Sequence, residues 1–271
     1  MSTTLPPIAF IGGGNMANAM IAGLAGLPDR PRITVAEPDA GKRDALSGRG
    51  CQVTAHNHEA VAAGELVVLA IKPQLAMSVV PGLAGAWTPG KRLVSILAGM
   101  PTARLEGWLP AGSRVVRAMP NTPLAIGRGM VGICRGRHAS EADLALAAAL
   151  FLPCAKVLAL ADEARMDAIT AVSGSGPAYF FAFAEALLAA AAGLGFTPEE
   201  AMLLVGQTGA GSWDYLLSSG IAPGRLREQV TSPGGTTAAA LAVLAAEDFT
   251  GMMARALDAA CRRGRELAAL G

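Results

Sequence analysis

Charge is scarce in this chain. Only 16% of its 271 residues are Asp, Glu, Lys or Arg, and 22 basic residues nearly cancel 21 acidic ones, leaving a net +1. That balance excludes nucleic acid as a main partner, because phosphate binding needs a clustered basic surface. Aromatic residues are few as well, at 4%; Ala and Gly take their place, which suits close-packed helices and backbones that approach a ligand. The four cysteines, Cys51, Cys134, Cys154 and Cys261, never fall in a CxxC spacing. A disulfide framework and a zinc site are thereby excluded, and the thiols read as small buried residues in a reducing cytosol, so a cytoplasmic location is expected. His56 and His58 stand two apart and on a strand would share one face, but two imidazoles make a poor site and no metal is expected.

Targeting and membrane signals are also missing. The opening MSTTLPP has no basic region, and the apolar run behind it carries Gly12, Gly13, Gly14 and Asn15, wrong for a signal peptide. Ala178 to Phe196 is nearly all apolar, but Glu185 interrupts it, at a cost of about 2.5–3.5 kcal/mol for a charge inside a membrane helix. A helix apolar all round is otherwise buried between helices. This one reads as the core of a subunit interface, with no membrane partner.

What is present is apolar bulk: 52% of the residues are hydrophobic, ample for two domains. Through the first half, short runs at Ile8–Ile11, Arg32–Ala36, Leu66–Ile71, Leu93–Leu97 and Arg114–Ala118 read as strands covered on both faces. Helical stretches at 15–26, 39–48, 74–86 and 140–150 separate them, and further strands at Met130–Cys134 and Ala155–Leu160 extend one edge. This rhythm predicts an α/β fold, a Rossmann-like, doubly wound, mainly parallel sheet over residues 1–161. From there only helical patterns follow, at 163–172, 177–194, 198–219, 223–230, 236–246 and 248–269. Thr197-Pro198-Glu199-Glu200 marks one helix start as a capping box with proline in the first turn. Residues 162–271 are thus expected to form an all-α substrate and dimerisation domain.

The first strand runs directly into Gly12-Gly13-Gly14-Asn15-Met16-Ala17, which matches G-x-G-x-x-A. Gly12 permits the tight turn, Gly14 lets the backbone meet a pyrophosphate, and Ala17 lets the helix pack on the sheet. The helix N-terminus, at Asn15 and Met16, turns free N–H groups toward the phosphates. Glu37, ending the second strand, sits where an acid would accept the ribose 2′-hydroxyl of NAD. Lys42 and Arg43 follow closely and could instead pair with the 2′-phosphate of NADP, or simply face solvent. That choice stays open at this level.

Four further segments are Leu69-Ala70-Ile71-Lys72-Pro73-Gln74, Val115 to Pro123 (VVRAMPNTP), Val172 to Tyr179 (VSGSGPAY) and Val230 to Thr237 (VTSPGGTT). With the glycine loop, and in this order, they resemble the pyrroline-5-carboxylate reductase family over nearly the whole chain. The resemblance implies reduction of a cyclic imine to L-proline, the last step of proline biosynthesis, with NADP(H) as cofactor and NAD(H) the alternative. It implies that Ser232, Gly234, Gly235, Thr236 and Thr237 grip the ring carboxylate, with the Thr237 hydroxyl, the catalytic group, bonding the imine nitrogen. Physics fits: unpaired N–H groups of Gly235, Thr236 and Thr237 before an Ala-rich helix would make a carboxylate nest. From local sequence alone, either threonine could equally be a helix cap. Ala70, Lys72 and Pro73 at one strand end, Ala98 at the next, Asn121 near the crevice and Asn57 near the adenosine end resemble cofactor contacts. Lys72 could also be a plain surface charge, and Arg117 a structural ion-pair partner.

None of these motifs holds a His, Asp or Glu placed as a proton donor. An imine tolerates that, since in its protonated form hydride transfer neutralises charge instead of creating it. The protein need only bring the reacting carbons within roughly 3–3.5 Å and exclude water. The resemblance further implies a substrate site completed by a partner subunit, homodimers, and assembly to a decamer. A β-hydroxyacid reductase would be expected to carry a catalytic lysine in its helical half, yet Lys156 is the last lysine here. A broader imine reductase stays open and should accept imines lacking a carboxylate, whereas a dinucleotide sensor would have no need of the carboxylate loop.

Overall fold

The computed structural model describes residues 4–270. Its elements run β1 (Ile8–Ile11), α1 (Asn15–Ala25), β2 (Ile33–Ala36), α2 (Ala40–Ser47), β3 (Gln52–Thr54), α3 (Asn57–Ala63), β4 (Leu66–Leu69), α4 (Ala76–Val79), β5 (Arg92–Ser95), α5 (Thr102–Trp108) and β6 (Arg114–Pro120). There follow β7 (Gly129–Arg135), α6 (Glu141–Phe151), β8 (Ala155–Leu160), α7 (Met166–Ile169), α8 (Gly176–Gly193), α9 (Pro198–Ser219), α10 (Pro223–Gln229), α11 (Thr236–Ala246) and α12 (Phe249–Leu270). Two compact units result. One runs to Pro177 and takes in the chain again from Ala259; the other is Ala178–Asp258. The change of sequence pattern near residue 161 therefore falls inside the first compact unit.

The first unit is built on one eight-stranded sheet of order β3-β2-β1-β4-β5-β6-β7-β8. Every neighbouring pair is parallel except β6 with β7. All residues of β1, β2 and β4 are buried, which is why those segments read as unbroken apolar runs. Side chains of β1 alternate between two cores: Ile8 and Phe10 join Met20, Leu24 and Phe151, while Ala9 and Ile11 join Val67, Leu69 and Leu83. The chain winds outward in both directions from β1 and β4. Their carboxyl ends form the switch point where open α/β sheets take ligands.

Several local expectations change. The short β3 and the helices α3 and α5 were not legible. β3 has three residues with none buried, and neither α3 nor α5 has a side-chain cap to announce it. The continuous helix expected over 74–86 is broken into a 3₁₀ turn at Pro73–Leu75, the four residues of α4, and a second 3₁₀ stretch at Pro81–Ala86. Pro81 lacks an N–H and cannot continue a helix. Residues 163–172 pass through 3₁₀, α and then a π-helical turn at Thr170–Gly174. His56 and His58 lie on no strand: His56 is the cap residue of α3 and His58 lies within it.

The second unit is helical throughout. Thr197 and Glu200 cap α9 reciprocally, the hydroxyl accepting from Glu200 N at 3.3 Å and the carboxylate from Thr197 N at 2.9 Å. The helix stops at Gly220, which has φ +67 and so needs no Cβ penalty. Among residues 178–258 only Ala201 is buried. The stretch Glu163–Gly193 is long and apolar enough, by length and composition, to cross a membrane, yet only 11% of its most apolar part is buried within the chain.

Candidate active site

The glycine loop sits at the switch point. Gly12 adopts φ +98, and a Cβ there would fall 2.6 Å from Ala70 O. Only glycine fits that close approach to β4. Gly12 N donates to Ala36 O and Ala70 N donates to Ile11 O, so the loop is tied to the strands on either side. Gly14 opens α1 without a side-chain cap, and a Cβ on it would meet nothing within 4 Å. A helix end with uncapped N–H groups facing open space suits a pyrophosphate. A residue unforeseen in the sequence braces the loop: Asn18 Nδ2 donates to Gly13 O at 2.8 Å and Gly14 O at 3.2 Å. Its one signal is an amide one helical turn beyond Gly14.

Glu37 ends β2 as expected, but its carboxylate turns inward. Oε2 accepts from Gly13 N at 2.8 Å and Oε1 from Asp39 N at 3.1 Å, and the residue is 6% exposed. Arg43 is held by the carbonyls of Glu37 and Pro38, at 2.8 and 2.7 Å. Lys42 is exposed. The remaining cofactor candidates gather along the same carboxyl edge. Ala70, the exposed Lys72 and Pro73 follow β4, Ala98 follows β5, and Asn57 opens α3 after β3.

Asn121, directly after β6, uses its amide as a strut. Nδ2 donates to Ser173 O at 3.2 Å, and Oδ1 accepts from Met130 N at 2.9 Å. Gly174 packs beside it, where a Cβ would displace the terminal methyl of Met119. The VVRAMPNTP and VSGSGP segments therefore interlock around the π-helical turn. Arg117 is the ion-pair partner it could have been: buried, it reaches Glu163 at 3.2 Å and Asp167 at 3.3 Å. Glu163 also accepts from the N–H and hydroxyl of Thr102, at 2.9 and 2.6 Å, which fastens the start of α5 to this network.

In the second unit, Ser232-Pro233-Gly234-Gly235 makes a tight turn into α11, with Gly234 at φ +68. One expected donor is lost here, because Gly235 N closes the turn on Ser232 O at 3.0 Å. A Cβ on Gly235 would push the Ser232 hydroxyl aside, whereas the positive φ of Gly234 is what calls for glycine in the turn. Thr236 and Thr237 lead the helix, and no hydrogen bond occupies either hydroxyl among the described residues. Their N–H groups lie at an uncapped helix start, a place suited to an anion. Among the described residues no cluster of three or more His, Cys, Asp or Glu is arranged to hold a metal.

A dinucleotide-dependent oxidoreductase is the class that this sheet and loop define. Residues 7–99 match the model of the NADP oxidoreductase, coenzyme F420-dependent family, and residues 163–267 match pyrroline-5-carboxylate reductase dimerisation. The chain is 44% identical to the pyrroline-5-carboxylate reductase of Pseudomonas aeruginosa, covering 99% of this chain and 98% of that protein. Its structure is similar to a pyrroline-5-carboxylate reductase from Coxiella burnetii, with a TM-score of 0.89 and 35% identity over 99% of both chains. It is also similar to the Plasmodium falciparum pyrroline carboxylate reductase with NADP bound, at a TM-score of 0.86 and 28% identity over 99% of both chains. The chain belongs to the pyrroline-5-carboxylate reductase family. It is an NADP-dependent oxidoreductase that self-associates through its helical dimerisation domain.

Proposed function

We propose a division of labour for the reaction that family membership assigns, reduction of 1-pyrroline-5-carboxylate to L-proline with hydride from NADPH, or from NADH. Residues 1–161 carry the cofactor and residues 162–271 the substrate and dimer contacts, a reading supported by the span of the dimerisation model over 163–267. The glycine loop, through Gly12 and Gly14, and the N–H groups at Asn15 and Met16 receive the pyrophosphate. Ala70, Lys72, Pro73, Ala98, Asn57 and Asn121 line the cofactor's path, Asn121 chiefly by holding the Ser173 segment in place.

The observation that carries the substrate assignment is the Ser232–Thr237 turn, in which Gly234 at φ +68 leads to an uncapped helix start. Thr236 and Thr237 N–H groups hold the ring carboxylate, with Ser232, Gly234 and Gly235 shaping the turn. The Thr237 hydroxyl orients the imine nitrogen. When bound, the cofactor supplies the hydride that reaches carbon 5 of the ring; the nitrogen's proton comes from solvent before transfer. Catalysis is positioning and exclusion of water. The assembly is a cytoplasmic homodimer built up to a decamer, with no membrane partner. Support for association is the exposed apolar helical unit, in which the apolar helix α8 serves as subunit contact.

Initial rates with synthetic pyrroline-5-carboxylate, and NADPH and NADH in parallel, test this reading. Turnover is expected with NADPH, and Thr237→Val should lower kcat at least tenfold. No turnover with either cofactor, in oligomeric protein that still binds them, would overturn it.

A further inference from the structure

An acid at the end of the second strand ordinarily reads the ribose of the cofactor, accepting from its 2′-hydroxyl and repelling a 2′-phosphate. Glu37 occupies that position in a chain whose family uses NADP. The structure removes the conflict. Both carboxylate oxygens already accept backbone N–H groups, one from Gly13 inside the glycine loop and one from Asp39. The side chain is buried behind that loop, and Leu46 of α2 closes in from beyond it: a Cβ on Gly13 would lie 2.7 Å from Leu46 Cδ1 and 3.3 Å from Glu37 Oε2. Backbone bonds fix the residue further, since Glu37 N donates to Thr54 O at 3.0 Å.

Outside this buried carboxylate the cations behave differently. One guanidinium nitrogen of Arg43 spans the Glu37 and Pro38 carbonyls, which sets the group at the mouth of the β2–α2 turn. Neither Arg43 nor Lys42 forms an ion pair among the described residues. A planar guanidinium with unused donors suits a phosphate.

We propose that Glu37 is a positioning residue for the glycine loop and not the reader of the ribose, and that Arg43 recognises the 2′-phosphate. Glu37 holds the Gly13 N–H away from the pyrophosphate and leaves the next N–H groups, at the start of α1, to meet it. Its carboxylate oxygens are satisfied by those backbone donors and turned inward, so the Arg43 cation is left as the group that meets the ribose 2′ position. This inference rests on the assignment of NADP(H) as the cofactor.

The test is equilibrium titration of the oligomeric protein with NADPH and with NADH, alongside amide exchange of Gly13 in protein free of dinucleotide. In the wild type the Gly13 amide should exchange slowly, and Glu37→Gln should speed it at least tenfold. Glu37→Gln should weaken both dinucleotides by a similar factor, about tenfold, and leave their ratio within about twofold. Arg43→Ala should weaken NADPH about tenfold and leave NADH unchanged. Glu37→Gln is preferred to Glu37→Ala because it keeps the side-chain volume and so the fold. Tighter NADPH with weaker NADH in Glu37→Gln, or fast Gly13 exchange in the wild type, would overturn the role of Glu37. An unchanged NADPH affinity in Arg43→Ala would overturn the role of Arg43. Wild-type protein that binds neither dinucleotide would instead overturn the cofactor assignment beneath both.

Discussion

The two units spend their apolar residues in opposite ways. In the first, Phe10, Phe151, Met20 and Leu24 are fully buried, and strand after strand is closed on both faces. In the second, Phe181 is 64% exposed, Leu203 71% and Leu217 67%, with Ala201 alone buried over residues 178–258. Large apolar side chains left exposed in that number mark association. One unit is a finished globule; the other is half of one. Stability in the first is a property of the chain, whereas in the second it depends on concentration.

The largest expected effect breaks the second half of that contrast. Phe181→Asp with Leu203→Glu should abolish self-association and lower activity by at least about a hundredfold, since buried apolar anchors dominate interfaces. Sedimentation at micromolar protein would check this, and an intact, active oligomer would refute it. A smaller effect is expected in the first unit. Asp143 caps α6 with Ser140 and pairs with Arg92 at 2.6 Å and Arg114 at 3.4 Å. Asp143→Asn should cost about 3 kcal/mol in urea unfolding, with subunit association unchanged.

That carboxylate also gives the first unit an acid limit. Burial raises its pKa, but hydrogen bonds from the Ser140 backbone and hydroxyl and from Arg92 outweigh burial, so it lies below the usual carboxylate range. A depressed pKa contributes stability that is complete above the unfolded value of about 3.9 and fades as pH falls through the folded one. Asp143→Asn should therefore flatten the acid limb of the stability curve. The smallest effect is chemical. Burial pushes the Cys134 thiol up to about 12 and Cys154 up to about 11. Both should resist alkylation at pH 8 in the native protein; modification at the rate of a free thiol would show that the sheet opens readily.

Legibility in sequence did not follow the contrast between the units: the first hid β3, α3 and α5, while the helices of the second were placed closely. β1 and the glycine loop could be placed because a buried strand and a ligand-facing helix end each impose residue types locally. In the second unit α9 and α11 were placed to the residue, by capping and Pro–Gly signals. What they pack against was not legible beyond the expectation of a partner. Side-chain direction was lost everywhere. Glu37 stood at the expected position, but its bond to Gly13 depends on a fold-back between residues 24 apart in sequence. The Gly235 donor is spent within a turn that closes on Ser232, and Asn121 is a strut because Met130 and Ser173 come to it from separate segments.

The last helix has a consequence for how the chain can be divided. From Ala259 it belongs to the first unit, where Gly264 lies beside Asp167, and a Cβ on Gly99 would come within 3.2 Å of Leu267 Cβ. The helical unit is thus an insertion with two junctions, not a tail with one. A fragment stopped at Pro177 would expose the Gly99 loop and the Arg117 network together. Exchange of the association module between relatives, by recombination or by design, has to splice at both Pro177 and Ala259.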